Sequence, residues 1–243
     1  MHLRHLVLFS AFSSTSAFGQ LGVNLVQNHS FESFTADSTS AGTVAVEGRS
    51  GRFRLNDWVT QGTFTLDRYD GAFPPTTGTP ANAGEYYLFG TSTALSTLEQ
   101  RVDLTFASAL IDMGDAGFLA SALLGSLKFF NSNDFFQDDI ATLTISFRDQ
   151  VDIPISLITM VGPNFPSEVG APMTPGNFHG LISSAGSVPV SARSAVIAIS
   201  LTRDPDSSGF NNANVDRVEF TVVPSPGSVG MLMILAMVVR RRR

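Results

Sequence analysis

Polar and apolar residues alternate along much of this chain. The segments Gly62-Thr-Phe-Thr-Leu-Asp-Arg-Tyr69 and Ala141-Thr-Leu-Thr-Ile-Ser-Phe147 repeat with period two, and Val215-Asp-Arg-Val-Glu-Phe-Thr-Val222 nearly does. That period turns one face of an extended chain inward and the other toward water, so these are half-buried strands. Further strands are predicted at Arg52 to Val59, Glu85 to Phe89, Leu98 to Leu104, Phe118 to Leu127, Ile153 to Met160 and Ser194 to Thr202, all rich in Val, Ile, Leu, Phe and Thr. Glycine, proline and asparagine punctuate nearly every gap, and no stretch carries a long amphipathic helical pattern. Many strands separated by turns predict an all-β, antiparallel jelly-roll β-sandwich. Gly162-Pro-Asn-Phe-Pro166 and the proline-rich stretch to Pro175 read either as a long binding excursion between strands or as a plain connector.

The two ends follow a different pattern. His2, Arg4 and His5 precede an apolar run from Leu6 to Phe12, and Ala17-Phe18-Gly19 then offers small residues where a signal peptidase inspects them. A helical signal peptide over 1–19, cleaved before Gln20, is expected. At the other end Pro224-Ser225-Pro226-Gly227 leads into an uncharged run from Ser228 to Val239, closed by Arg240, Arg241, Arg242 and Arg243. A turn, an apolar run and a terminal basic cluster stop an exported chain in a membrane with the cluster inside. The apolar run is well short of the about 20 residues a spanning helix needs, which favours a transient signal over a permanent anchor.

This tail closely resembles the PEP-CTERM sorting signal of bacteria with exopolysaccharide-rich envelopes, with Ser225 standing where the name-giving motif has Glu. The resemblance implies recognition and cutting by an exosortase-type membrane transpeptidase. Residues 20–223 are then the folded domain and 224–243 the sorting signal, and the protein is exported to the cell envelope or beyond.

Removing both ends changes the charge picture. Arg4 and Arg240 to Arg243 lie outside 20–226, leaving ten basic residues against 21 acidic ones, a net charge of −11. Such a surface repels nucleic acid. The absence of cysteine excludes disulfides, zinc–thiolate sites and cysteine nucleophiles, and a domain of this length buries enough apolar surface to fold without them.

A second resemblance spans almost the whole interior. Asn24-Leu-Val-Gln-Asn28-His-Ser-Phe31-Glu32 resembles the opening of galactose-binding-like jelly rolls, the fold of many carbohydrate-binding modules. Trp58, Gly84-Glu-Tyr-Tyr-Leu-Phe-Gly90, Leu98-Glu-Gln100-Arg-Val-Asp-Leu104 and Asn214-Val-Asp216-Arg-Val-Glu-Phe220 follow in that family's order. The resemblance implies that Asn24 to Phe31 and Val215 to Val222 are neighbouring terminal strands. It also implies that Glu32 and Asp216 meet, with backbone carbonyls completing an oxygen cage for a structural Ca2+ ion. The alternative is two solvated strand-end carboxylates.

Other clusters point less sharply. Asp134, Phe135, Asp138 and Asp139 mix acids with aromatics, as sugar sites do; an ordinary turn before the strand at Ala141 is the favoured alternative. Asp204 to Asn212 reads as a hairpin loop, because Pro205 and the missing downstream Glu depart from a calcium-loop pattern. His29 and His179 are the only histidines of the interior, and no Gly-x-Ser-x-Gly elbow is present, so a non-enzymatic protein is expected. Two functions fit: a structural, matrix-associated protein, or a dedicated carbohydrate-binding one. A lectin exposes aromatic rings, and a chain with twenty Phe but one Trp and three Tyr has few with a polar handle.

Overall fold

The computed structural model describes residues 20–37, 42–47, 49, 51–71, 84–128, 139–162, 176–205 and 211–225. Their strands are β1 (Phe34–Ala36), β2 (Gly42–Val46), β3 (Phe53–Leu55), β4 (Val59–Arg68), β5 (Tyr86–Gly90), β6 (Leu95–Asp103), β7 (Ala116–Lys128), β8 (Ile140–Arg148), β9 (Pro154–Val161), β10 (Gly176–Ser187), β11 (Ser194–Thr202) and β12 (Ala213–Pro224). A 3-10 turn at Thr105–Ala107 and a short helix, α1 (Ser108–Asp112), join β6 to β7. No helix among the described residues is long and apolar enough to cross a membrane.

The pairings identify the topology. β8 pairs with β9, β7 with β10, β6 with β11 and β5 with β12, all antiparallel. Four pairs nested one inside another are what folding a long double ribbon into a roll produces. The roll has two sheets, ordered β10-β7-β12-β5 and β6-β11-β8-β9, and this is the eight-strand jelly roll. β4 belongs to both: Val59 to Gln61 pair with β6, and Phe64 to Arg68 with β5. The change of sheet falls at Gly62, whose φ of +90° suits glycine and whose absent Cβ would stand 3.0 Å from the Leu95 carbonyl.

Alternation fills the space between the sheets. Phe118 on β7, Phe147 on β8 and Phe220 on β12 form a three-ring cluster with centroids 5.5 to 6.2 Å apart, bridging the two sheets. Each ring buried this way contributes about 1.5–3 kcal/mol. A second aromatic group, Phe31 against Trp58 and Phe34 against Phe53 and Tyr86, closes the end near β1 and β3.

The structure departs from expectation in three places. Asn24 to Phe31 is not a strand, although it does lie against β12. Its asparagines occupy the bonding positions a ladder would use: Asn24 Oδ1 accepts the Phe220 N–H at 3.0 Å, and Asn24 Nδ2 donates to the Val218 carbonyl at 3.3 Å. Asn28 Nδ2 donates to the Ser33 and Asn56 carbonyls while Phe31 takes a φ of +59°, so the segment turns rather than extends. The sandwich is also not wholly antiparallel, because β2 runs parallel to β4. Finally, Arg52 to Val59 is broken by a turn at Asn56 and Asp57, the latter at a φ of +67°.

Candidate functional site

A bulge in β12 places Asp216. The register against β7 shifts between Asp216 and Glu219, and Arg217 takes a φ of +50°. The extra residue lets Val215 and Val218 both reach the core, and Asp216 is left on the other face of the sheet, fully buried. Its Oδ2 accepts the Tyr69 hydroxyl at 2.5 Å and its Oδ1 the Arg217 N–H at 2.7 Å. Burial pushes the Asp216 carboxyl up to about 7, opposed by the Tyr69 and Arg217 donors and reinforced by the negative charge of Glu32. Burial and the adjacent carboxylate also raise the Tyr69 phenol.

Glu32 follows the turn at Phe31, and its Oε1 accepts the Tyr86 N–H at 2.9 Å. Its head rests where Gly84 has no side chain: a Cβ there would stand 1.8 Å from Oε1. Partial burial raises its carboxyl, and the Tyr86 and Glu85 N–H groups pull it back. Of the two carboxylates singled out in the sequence, the Glu32 charge acts on Asp216 and adds to the rise of its carboxyl. Their donors are all hard oxygen, the chemistry calcium takes. Among the described residues no third acidic or histidine side chain joins them to make a metal cluster, so the rest of a shell would come from backbone carbonyls and water.

Sequence reasoning missed a second acid site beside the first. Asp67 on β4 faces Tyr87 on β5 in register, and the Tyr87 hydroxyl donates to Asp67 Oδ2 at 3.0 Å. Asp67 also shares a hydrogen bond with the Glu47 carboxyl; burial, together with that neighbour, pushes Asp67 up to about 7. A buried carboxyl bonded to a second, half-buried one favours keeping its proton. Glu47 reaches this place because β2 runs beside β4, and its Oε2 accepts the Arg68 N–H at 3.1 Å. The rings of Tyr69 and Tyr87 lie 5.2 Å apart and join the two sites. The visible signal was the period of Gly62 to Tyr69, which puts Asp67 and Tyr69 together on the face away from Phe64 and Leu66.

Asp139 is not placed to face a sugar. It is buried, with Oδ1 accepting the Asp204 N–H at 2.7 Å and Oδ2 the Asn212 N–H at 2.5 Å. It clamps the two ends of the connection from Asp204 to Asn212, and burial raises its carboxyl against the pull of those donors. Asp134, Phe135 and Asp138 lie outside the described residues, as do Ala17, Gly19, Pro226, Gly227 and Arg240 to Arg243. Pro224, expected in the tail, is the last residue of β12, and the Ser225 N–H donates to the Asp115 carbonyl at 2.7 Å. The sheet thus runs into the expected sorting motif.

No family model matches the chain, and no curated protein matches it. Among solved structures it is similar to the enzymatically active domain of tailspike protein 4 of bacteriophage CBA120, at 12% identity and a TM-score of 0.42, over 82% of this chain and 21% of that one. It is similar to the CBM22-1–GH10 modules of Clostridium thermocellum xylanase 10B, at 14% identity and a TM-score of 0.37, over 68% of this chain and 26% of that one. A xylan-binding CBM22 domain matches at 13% identity and a TM-score of 0.36, over 77% of this chain and 97% of that domain. The chain spans about a fifth to a quarter of the first two proteins. The all-β jelly roll itself rests on the strand pairings given above.

Proposed function

We propose that this chain is an exported, non-catalytic jelly-roll protein, delivered by signal peptidase and an exosortase-type transpeptidase to the cell envelope or extracellular matrix and associated there with exopolysaccharide. The observation that carries a non-catalytic reading is where the strongly perturbed acids sit. Asp67 and Asp216, the carboxyls pushed up to about 7, are buried and each bonded to a tyrosine hydroxyl, beyond reach of a substrate in a cleft. Calcium between Glu32 and Asp216 would tie the start of the domain to its last strand and catalyse nothing. Mass spectrometry of the protein from its native host tests delivery: the expected species starts at Gln20 and lacks everything after about Pro226, and intact Arg240 to Arg243 on the surface-exposed species would sink it.

The second reading is a dedicated carbohydrate-binding protein. Trp58, Tyr69, Tyr86 and Tyr87 are all buried, and the exposed large apolar residues are aliphatic or Met113, which argues against a stacking platform of aromatic rings among the described residues. A polar groove argues for this reading, and a glycan-array screen of the secreted protein tests it.

A further inference from the structure

Two clefts meet along the outward face of β6. One, of about 480 Å³, is lined by Arg101, Asp103, Thr105, Asp149, Arg193 and Ser194 among others; the second, of about 350 Å³, takes in Gln27 and Asp57 and shares Arg101 and Asp103 with the first. Each is of ligand size, and a shared wall makes them one groove with two compartments. We propose that this groove binds a neutral glycan chain, with successive sugar units on either side of Arg101; the inference rests on the carbohydrate-binding reading.

The groove's chemistry selects that class. Asp57, Asp103 and Asp149 outnumber Arg101 and Arg193, and the interior of the chain carries a net charge of −11, so a polyanion is repelled. Both guanidinium groups are paired with carboxylates: Arg101 Nη1 donates to Asp152 Oδ1 at 2.6 Å, and Arg193 Nη2 donates to both Asp112 oxygens at 2.7 and 3.0 Å. A guanidinium has five N–H donors, and Arg101 spends a single one in this way. Asp103 accepts from the N–H and hydroxyl of Thr105, and Asp149 from the N–H groups of Val151 and Ile153. Each carboxylate keeps lone pairs for further donors. Donors and acceptors side by side complement hydroxyl groups, which both give and accept hydrogen bonds.

An independent observation points to an occupant. Ser194, at the start of β11, lines the larger cleft and is 3% exposed, yet its hydroxyl has no hydrogen-bond partner among the described residues. Buried hydroxyls are ordinarily bonded, and a sugar hydroxyl entering the cleft supplies the partner. Among the described residues no aromatic side chain lines the groove, so affinity comes mainly from hydrogen bonds, with Leu25 and Val102 the apolar contacts.

Affinity electrophoresis of the secreted protein through gels containing xylan, glucomannan or mixed-linkage β-glucan, with polygalacturonate as the acidic arm, tests the proposal. Retardation by at least one neutral polysaccharide is expected. Arg101→Gln and Asp149→Asn should each weaken it about tenfold, the loss of one charge-assisted hydrogen bond, at an unchanged melting temperature. Arg54→Gln, at the exposed position of β3, should leave it unaltered. Equal retardation of all variants would place the glycan elsewhere and overturn the groove while leaving carbohydrate binding intact. Retardation by polygalacturonate alone would overturn the neutral class, and none in any gel would overturn both the groove and the carbohydrate-binding reading.

Discussion

Raising the pH should weaken this protein, and calcium should restore it. The Asp216 carboxyl stands at about 7 in the fold against an ordinary 3.8, so between those values the folded state holds a proton the unfolded chain has released. A carboxyl raised by folding contributes its stability below the unfolded value and loses it as pH climbs through the folded one. At 1.36 kcal/mol per pH unit, the whole rise is worth about 4 kcal/mol by about pH 8. For a domain of this length that is a fall in Tm of about 10 °C. Calcium needs the ionised pair, so its effect should be slight near pH 5 and grow as Asp216 loses its proton; at a hundredfold excess over Kd it offsets about 2.7 kcal/mol. Magnesium should substitute poorly, because it prefers a tighter shell and keeps its waters. Calorimetry from about pH 5 to about pH 8, in chelator and in millimolar calcium, reads both effects. Asp216→Asn, which still accepts the Tyr69 hydroxyl, should remove the Asp216 share of the pH slope, leaving that of Asp67, and abolish the calcium response. Superimposable curves in calcium and chelator would refute the metal reading, and a flat profile in chelator would refute the burial argument itself.

Three further outcomes follow from the same geometry. Gly84→Ala should push the Glu32 carboxylate off its seat, since the new Cβ would fall 1.8 Å from Oε1, and calorimetry should show the calcium response reduced as strongly as in Glu32→Ala. Asp67→Asn removes one acid from the hydrogen-bonded pair with Glu47, whose stability is lost as pH rises toward about 7; urea denaturation should find the variant more stable than the parent near pH 8, with that advantage gone near pH 5. Phe220→Ala empties one seat of the three-ring cluster between the sheets and should cost about 3–5 kcal/mol in denaturant unfolding.

The strands legible from sequence are those whose side chains divide cleanly between core and solvent, such as Ala141 to Phe147. β10 escaped notice because Gly176 to Ser187 is rich in Gly and Ser and has no sustained alternation; pairing along its whole length with β7 makes it a strand. β2 is short, and its parallel partner lies across a turn that period alone does not specify. Asn24 to Phe31 was expected to be a strand through the resemblance, but asparagine side chains can stand in for backbone groups, and here they do. Glu32 and Asp216 were singled out through a resemblance, and the Glu32 charge does act on the Asp216 carboxyl. The Asp67–Glu47 pair was not legible, since it depends on Glu47 N–H reaching the Leu66 carbonyl at 3.0 Å, a register no local pattern encodes.

β12 is the last strand before the tail, yet it lies inside its sheet, between β7 and β5. The segment at Gly22 to His29 is fastened to it as well, through the Val222, Phe220 and Val218 backbone groups. Anything that grips the chain beyond Ser225 therefore pulls along the axis of an interior strand. Its ladder to β7 is loaded in shear, so its hydrogen bonds must yield together rather than unzip one by one from an edge. A domain tethered by that end would withstand drag on the material around it far better than one hung from a peripheral strand.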